Sequence, residues 1–445
     1  ELVENLDNAK AAAREATHVL VNVDLMAWKK KQKTAQYAPK SWQQTVTSEL
    51  DRLDPIFEQC GDELRKLRNI TEKFELDAQK EGSPLLQHIQ QFRNDLNMMI
   101  YQFVWDSCVV AKQPPKVLIK SRAPQGDGTK KTARSPCQPI LRLLGGSSLN
   151  VRQHKDMANN NMNIECHLIS EELAQNLGSA NLDEQPIHPM GNLMHNKAQF
   201  ELAADGSFIA NFKKPILLTN LTRPETSESA VTRQRCYLLF LVKLSGGYLY
   251  LSGPKLSLPL LALVHPRQEF DQGGDAYIFW DLAFSQGDGI LTDVPRENSP
   301  GVPWEEAVEA INLKFQQLVE GSRCEDVLPP SQLALNHLAS KFFGERPDYR
   351  GCMLTWEMFF KVEFLKHDGH PCTFRQWFYT AADILSKKLY QYWNKGMINC
   401  FLGKEKAEQI LLQNKHPMMI VKFSDNNLGH LIISYLTLQD VSFRK

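Results

Sequence analysis

The sequence predicts a multidomain α+β protein, in which a helical bundle, a β-sandwich or barrel, a second helical region and a short α/β segment follow one another. Three observations support this order. Apolar residues recur at helical spacing in the first quarter, short apolar runs alternate with turn residues in the middle, and helical spacing returns after Trp280. The length of 445 residues, with 42% hydrophobic and 23% charged residues, is typical of a folded chain of several domains.

Residues 1–113 are predicted to form an antiparallel helical bundle. Two apolar stripes occupy 46–74 and 85–103, and most of their members alternate between spacings of four and three. Ser83 and Pro84 are typical of an N-cap and of a first helical position, so we expect a helix to begin there. Each stripe needs a partner for burial, so the helices are expected to pack against one another.

The middle segment, residues 114–281, is predicted to be a β-sandwich or barrel. The sequence Gln113-Pro-Pro ends the helical pattern, because a residue before proline disfavours the helical conformation. Short strand-like runs follow, among them Ile140–Leu144 and Tyr237–Val242, and glycine, proline and asparagine separate them. Many short strands between turns favour two packed sheets or a closed barrel.

The last third is predicted to be helical over 282–391 and α/β over 392–445. Helical periodicity marks Trp356–Phe364 and Phe374–Tyr392. A short helix at Lys404–Leu412 then precedes an apolar, strand-like run at Met419–Phe423.

Composition and motifs exclude several classes of protein. The 51 basic and 51 acidic residues cancel, so a nucleic-acid surface would have to come from local charge placement. The nine cysteines form no Cys-x-x-Cys pair, which favours a reducing compartment over disulfides or a thiolate zinc site. The first residues, Glu-Leu-Val-Glu-Asn, have neither the basic nor the apolar region of a signal peptide, so we expect none there. The sequence contains no apolar run of about 18 residues and no catalytic or dinucleotide motif. We therefore expect a protein that is not an enzyme, does not enter a membrane and uses no cofactor or metal.

The most specific motif lies between Trp393 and Asn426. It begins Trp-Asn-Lys-Gly-Met-Ile, continues with Lys404-Glu at a helix start, and reaches Ile-Val-Lys422-Phe-Ser424 on a strand. This pattern resembles the start of the Src-homology-2 domain of the STAT family, the signal transducers and activators of transcription. In that family an arginine usually stands at the position of Lys422.

Other segments resemble the same family in the same order. Gly206-Ser-Phe-Ile-Ala-Asn-Phe-Lys213 is similar to a motif of its DNA-binding domain, and Val21–Gln32 is similar to the end of a coiled-coil helix. The resemblance implies four domains, listed with their boundaries: a coiled-coil bundle at 1–113, an immunoglobulin-like DNA-binding domain at 114–281, an all-α linker at 282–391 and the first half of a Src-homology-2 domain at 392–445.

Two further departures from the family pattern, besides Lys422, affect the prediction. Three long helices replace the four of the family's coiled coil, which suggests an invertebrate member of nematode type. The chain also ends at Lys445, about halfway through the Src-homology-2 domain and without a tail tyrosine. We therefore expect this chain to be monomeric or to dimerise through its helical region.

The resemblance implies a phosphotyrosine site made of Lys404, Lys422, Ser424, Asp425 and Asn426. A phosphate group needs cations and hydrogen-bond donors around its oxygens. Lys404 and Lys422 would supply the charge, and Ser424 with the amides of Asp425 and Asn426 would form an anion nest. Lys422 lacks the planar fork of arginine, so we expect weaker phosphotyrosine binding than an arginine would give. Without the resemblance, both lysines would be interpreted as ordinary solvated side chains.

The resemblance also implies a set of DNA-contacting residues on loops of the β domain. His265 aligns with the family's base-contacting asparagine, and Asn163 falls near a position that contacts DNA. Thr222 and the following arginine lie where a loop should contact the phosphate backbone. Histidine can form one hydrogen bond to a base edge but not the bidentate pair of asparagine, so its discrimination would be weaker. The full predicted set comprises Arg152, Lys155, Asn163, Thr222, Arg223, His265 and Arg267.

Taken together, the resemblance implies a transcription factor that binds inverted-repeat GAA sites in double-stranded DNA and is regulated by tyrosine phosphorylation. Its partners would be a phosphotyrosine peptide or the tail of a second subunit, giving a homodimer in the phosphorylated full chain, and proteins that bind the coiled coil. Cytoplasm and nucleus are the expected locations. The alternative is a phosphotyrosine-binding adaptor whose β domain does not contact DNA.

Overall fold

The structure is a computed structural model that describes most of the chain. The described residues are 2–121, 136–146, 163–177, 187–222, 234–246, 249–265, 267–270, 273–284, 301–323, 325–367, 370–414, 418–436 and 441–444. Helices dominate both ends and a curled β-sheet occupies the middle, which confirms the predicted multidomain α+β fold. Within the described stretches, no helix is both long and apolar enough to cross a membrane.

The chain divides into two compact units. The first contains Glu1–Gln32 and Thr45–Gly274, and the second contains Lys33–Gln44, Asp275–Gly287 and Thr292–Lys445, over their described parts. The first unit therefore joins the predicted bundle to the predicted β domain. The predicted domain boundaries stay predictions.

The bundle contains three long helical stretches. The first is α1 (Leu2–His18), a π-helical segment (Val19–Leu25) and α2 (Met26–Ala35), and it is followed by α3 (Lys40–Glu81) and α4 (Leu86–Ser107). Helix α4 begins at Leu86 rather than at Ser83 or Pro84, because residues 84 and 85 form a turn. The hydroxyl of Ser83 accepts a hydrogen bond from the amide of Leu85 at 3.3 Å, and so supports that turn instead of capping the helix.

Buried aromatic residues hold the bundle together. Phe57 of α3 and Phe103 of α4 stack with ring centroids 5.4 Å apart, and both are almost fully buried. The indole nitrogen of Trp28 in α2 donates to the carbonyl oxygen of Val46 in α3 at 2.8 Å. These contacts link all three helical stretches, as the apolar stripes predict.

The β domain is built on an eleven-stranded curled sheet, as counted over the described residues. Its strands are β1 (Cys108–Lys112), β2 (Val117–Ile119), β3 (Ile140–Leu143), β4 (Asn163–Ser170), β5 (Gly191–Met194), β6 (Lys197–Leu202), β7 (Phe208–Asn211), β8 (Leu217–Leu221), β9 (Arg235–Gly246), β10 (Leu249–Leu256) and β11 (Leu260–Leu263). The main order is β1-β3-β7-β6-β4-β9-β11-β2, with β10 on β9 and β5 between β4 and β8. Two short helices, α5 (Glu171–Asn176) and α6 (Arg267–Phe270), follow β4 and β11. The sheet begins at Cys108, directly after α4.

A buried ion pair attaches the sheet to the bundle within the first unit. Arg142 on β3 donates to Asp54 of α3 at 2.8 Å and to Asp51 at 2.6 Å. The other oxygen of Asp54 accepts from the amide of Gly145 at 2.9 Å. Gly145 has a φ of 68°, and a Cβ there would lie 2.8 Å from the carbonyl oxygen of Phe57, so only glycine fits this junction.

The second unit is mostly helical and ends in a small sheet. Its helices are α7 (Gly274–Phe284), α8 (Trp304–Glu320), α9 (Gln332–Phe343), α10 (Trp356–Phe360), α11 (Phe374–Ile384), α12 (Tyr390–Asn394) and α13 (Lys404–Gln413), with a π-helical turn at Leu385–Leu389. Its strands are β12 (Val302–Pro303), β13 (Met353–Leu354), β14 (Glu363–His367), β15 (His370–Thr373), β16 (Met419–Phe423), β17 (Leu431–Leu436) and β18 (Val441–Arg444). Strands β16, β17 and β18 form an antiparallel sheet.

A buried lysine lies in the core of this second unit. The ammonium of Lys314 on α8 lies 2.6 Å from Asp275 of α7, and both side chains are almost completely buried. Tyr379 of α11 donates its hydroxyl to the same carboxylate oxygen at 2.9 Å, and Lys314 donates to Gln317 at 2.9 Å. Burial and the charge of Asp275 raise the pKa of Tyr379 well above its usual value, so this hydroxyl remains a donor.

Candidate functional site

Asn163 stands at one end of the curled sheet. It is the first residue of β4, which runs antiparallel to β9 with Ile164 opposite Val242. The start of β4 therefore lies beside the last part of β9. We call this end of the sheet the Asn163 end.

His265 stands at the other end. Strand β11 also runs antiparallel to β9, with Leu261 opposite Arg235, the first residue of β9. His265 follows β11 and so lies beyond the start of β9, at what we call the His265 end. The strand from Arg235 to Lys243, which lies across from Asn163, spans roughly 27 Å at about 3.4 Å per residue. His265, the predicted base contact, and Asn163, predicted near a DNA-contacting position, are thus far apart.

Thr222 belongs to the His265 end. Strands β4 and β8 run in the same direction because each is antiparallel to β5. The amide of Thr222, just after β8, donates to Met190, whose own amide donates to Leu168 of β4. The chain therefore leaves β8 toward the same end as it leaves β11.

The local structure around His265 is a tight turn. Its amide donates to the side-chain oxygen of Gln268 at 3.0 Å, and its carbonyl accepts from the amide of Gln268 at 3.1 Å. The residue is exposed. This turn holds the backbone of His265 at the end of the strand, in front of α6.

The remaining predicted DNA contacts cannot be placed as side chains. Arg152, Lys155 and Arg223 lie outside the described residues, and for Arg267 only the backbone, at the start of α6, is described. Thr222 immediately precedes Arg223 in sequence. Their contact with DNA stays a prediction.

At the Asn163 end, the exposed face of the sheet forms an open, lysine-rich groove of about 640 Å³. Asn163 accepts a hydrogen bond from Gln199 of the neighbouring strand β6 at 3.0 Å. The charged residues that line this lysine groove are Lys197, Lys213, Lys214, Lys243, Glu165 and Glu201. Glu201 lies 3.3 Å from Lys213, so part of the positive charge is compensated.

The predicted phosphotyrosine residues lie where α13 packs on the final sheet. Leu402, Ala407 and Leu411 bury against Ile420 of β16 and fix the helix on the strand. Lys404 is the first residue of α13, and its side chain is 69% exposed with its ammonium 3.9 Å from Glu408. Lys404 thus occupies a solvent-facing helix start.

Lys422 differs from Lys404 because its side chain is almost fully buried. Its side chain is 3% exposed, and its ammonium donates to the carbonyl oxygen of Leu402 at 2.6 Å. It also lies 3.4 Å from a carboxylate oxygen of Asp425. A buried ammonium needs such partners, because desolvation of an isolated charge costs much free energy.

Asp425 is held by three basic side chains. His337 Nε2 lies 2.9 Å from its Oδ1, Lys341 lies 3.9 Å from the same oxygen, and Lys422 lies near Oδ2. Burial alone would raise the pKa of Asp425, but the hydrogen bond from His337 and the charges of Lys422 and Lys341 outweigh it and lower this pKa. The carboxylate is therefore kept ionised. We call these four residues the Asp425 cluster.

Ser424 and Asn426 form the turn that positions Asp425. The hydroxyl of Ser424 accepts hydrogen bonds from the amides of Asn426 and Asn427 at 3.2 and 3.1 Å. The carbonyl of Ser424 accepts from the indole of Trp377 on α11 at 3.2 Å. The Asn426 amide, predicted to face an anion, is thus engaged by the Ser424 hydroxyl.

Comparison with known proteins identifies the family. Residues 1–105 match the family model described as the N-terminal region of signal transducer and activator of transcription b. The signal transducer and activator of transcription b of Caenorhabditis elegans is 26% identical over 444 residues, covering 94% of this chain and 72% of the relative.

Both similarities support a member of the STAT family, that is, a signal transducer and transcription factor of the STAT type. The resemblance given by the sequence motifs is thereby confirmed. The similarity to a nematode protein also agrees with the expectation, drawn from three rather than four long helices, of a nematode-like STAT.

Sequence reasoning missed two residues near the predicted phosphotyrosine site of this STAT chain. His337 and Lys341 lie on α9, more than 80 positions before Asp425, and no motif connects them to it. His337 also packs on Gly403 at the start of α13, where a Cβ would lie 3.3 Å from its ring. The i, i+4 spacing of the two residues does place them on one helix face, but the sequence gives no hint of what that face contacts.

Proposed function

We propose that this STAT-family chain binds DNA through the loops at the His265 end of its sheet and reads inverted-repeat GAA sites. The observation that supports this most directly is that Thr222 and His265 follow two strands that run toward the same end. One surface there can offer a base-edge contact from His265 and backbone contacts from the loop that begins after Thr222. DNA recognition needs both kinds of contact on the same side of the protein.

Asn163 is less well suited to this role than His265. It lies roughly 27 Å away along the strand direction, and this distance is greater than the width of the major groove, about 12 Å. Its side chain is already bonded to Gln199 at the edge of the lysine groove. We therefore assign the base contact to His265 and treat Asn163 as the matched comparison.

The test is fluorescence anisotropy with a labelled duplex that carries a TTC–GAA inverted repeat, compared with a scrambled duplex over a salt series. We expect tighter binding to the repeat and a loss of affinity with rising salt, because phosphate contacts release counterions. His265→Ala should reduce the preference for the repeat by roughly fivefold, the loss of one base contact. Asn163→Ala should change this preference by less than about twofold.

Two results would contradict the proposal. If Asn163→Ala lost the preference and His265→Ala kept it, the DNA surface would lie at the Asn163 end. Equal, weak binding of both duplexes by the unaltered chain would favour the phosphotyrosine adaptor instead.

Phosphotyrosine regulation through α13 and β16 is the second part of the proposal. Its support is the concentration of basic groups, His337, Lys341 and Lys422, around the turn that follows β16. In the phosphorylated full chain such a site would bind the tail of a second subunit, and a two-fold homodimer would match a two-fold DNA site. Movement between cytoplasm and nucleus belongs to the same proposal.

A further inference from the structure

The Asp425 cluster contains more positive than negative groups. Within the described contacts of this cluster, one carboxylate faces two lysines and a histidine. The carboxylate is approached at both oxygens, by His337 and Lys341 at Oδ1 and by Lys422 at Oδ2. This is the coordination that an oxyanion requires, and a phosphate group carries more charge and one more terminal oxygen than a carboxylate.

The cluster is also partly open to solvent. Lys422 is 3% exposed, whereas the side chains of Asp425 and Lys341 are 17% and 30% exposed. Asp425 lies in the turn between β16 and β17, directly after Ser424. A turn residue can swing outward without disturbing a strand, so the carboxylate is the component that can leave while the cations remain.

We propose that Asp425 is an internal substitute for phosphate, and that His337, Lys341 and Lys422 together hold the phosphate group of a phosphotyrosine once Asp425 is displaced. The inference rests on the proposed phosphotyrosine role of this site and names its cations and its regulation. Two of the three basic side chains come from α9 rather than from α13. The carboxylate of Asp425 therefore occupies the site until a ligand of higher charge competes with it.

The proposal explains how a lysine can stand where the family usually has an arginine. Lys422 alone offers a point charge, without the two-pronged geometry of a guanidinium. A histidine and a second lysine from α9 supply further donors on the other side of the bound oxyanion. Because His337 packs on Gly403, these donors are held in register with the start of α13.

The test compares binding of free O-phosphotyrosine, inorganic phosphate and tyrosine to the whole chain by NMR titration. Asp425→Asn should bind phosphotyrosine at least about tenfold more tightly than the unaltered chain, because an internal competitor is removed. Adding His337→Gln or Lys341→Gln to Asp425→Asn should reverse most of this gain. Lys387→Gln, which removes an exposed lysine of the π-helical turn, is the charge control and should change affinity less than about twofold.

Several outcomes would overturn the inference. One is an Asp425→Asn chain that binds no tighter than the unaltered chain. Another is a gain that survives His337→Gln and Lys341→Gln but is lost with Lys404→Gln, which would assign the phosphate to α13. If Asp425→Asn tightened the binding of inorganic phosphate and phosphotyrosine equally, the result would still support an anion site. If it also tightened the binding of tyrosine, the result would contradict an anion site.

Failure of the inference can be separated from failure of the proposed function. If the unaltered chain binds phosphotyrosine but Asp425→Asn gives no gain, only the substitution role of Asp425 is wrong. If no variant binds phosphotyrosine, the phosphotyrosine part of the proposed function is wrong too, and DNA anisotropy still tests the rest. If Asp425→Asn does not fold, the ring signals of His337 in the unaltered chain decide: they should shift on phosphotyrosine addition, and unchanged signals during binding would contradict the proposal.

Discussion

Two lysine–aspartate pairs in the second unit are similarly buried but differently balanced. Lys314 and Asp275 are 1% and 6% exposed, lie 2.6 Å apart, and are closed by Tyr379 and Gln317. Lys422 and Asp425 are 3% and 17% exposed and 3.4 Å apart, and Asp425 faces two further basic side chains. The comparison indicates that the first pair is part of the structural core. The second pair lies among more basic than acidic side chains, as the proposed binding of an anionic ligand requires.

The largest effect is expected when the first pair is broken. Asp275→Asn leaves the ammonium of Lys314 buried without its counter-charge, and this should lower the free energy of unfolding by about 3–5 kcal/mol. Urea denaturation followed by circular dichroism measures the change. Asp383→Asn is the control, because Asp383 and Lys387 form an exposed pair worth less than about 1 kcal/mol. A loss below 1 kcal/mol for Asp275→Asn would show that the pair is not structurally important.

A smaller effect is expected at the second pair. Asp425→Asn should cost about 2 kcal/mol at neutral pH, since Lys422 retains its hydrogen bond to Leu402 and Asp425 is partly solvated. Added phosphotyrosine should raise the melting temperature of this variant more than that of Asp275→Asn, in which Asp425 still competes for the site. If ligand stabilised both variants equally, the contrast between the two pairs would be wrong.

The stability difference at Asp425 should depend on pH. The folded state lowers the pKa of Asp425, so its carboxylate contributes stability above its unfolded pKa of about 4, and this contribution is lost as the pH falls through the lower folded pKa. The difference between the unaltered chain and Asp425→Asn should therefore shrink as the pH falls below about 4. Denaturation curves at several pH values measure it, and a difference that grows toward low pH would contradict the assignment.

The smallest effect is expected at Lys404. Its ammonium lies 3.9 Å from Glu408 on an exposed helix face, so Lys404→Gln should change the free energy of unfolding by less than about 0.5 kcal/mol. The same denaturation assay applies. A cost as large as that of Asp425→Asn would mean that Lys404 belongs to the buried cluster after all.

Local patterns in the sequence predict most of the fold. The stripes at 46–74 and 85–103 specify helices because residues three and four apart share one helix face. Helix starts are less certain, since a turn can use the same residues as a cap. Ser83 shows this: its hydroxyl supports a turn, and the helix begins at Leu86.

The candidate DNA surface shows where sequence reasoning reaches its limit. Asn163 begins a strand and His265 follows one, so both fit the end of a sheet. Which end each occupies depends on strand direction and register, and these are set by pairing between distant segments. A sequence motif identifies the residue type, whereas the pairing of strands determines which residues lie beside it.

The chain order of helices, strands and motifs, and with it the resemblance to the STAT family, follows from the sequence, because local periodicity and short motifs are encoded in neighbouring residues. The surroundings of Asp425 do not. His337 and Lys341 reach its carboxylate because α9 packs beside the turn after β16 in the folded second unit. Contacts between residues so far apart in sequence come from the packing of whole elements, which leaves no local signal in the residues that make them.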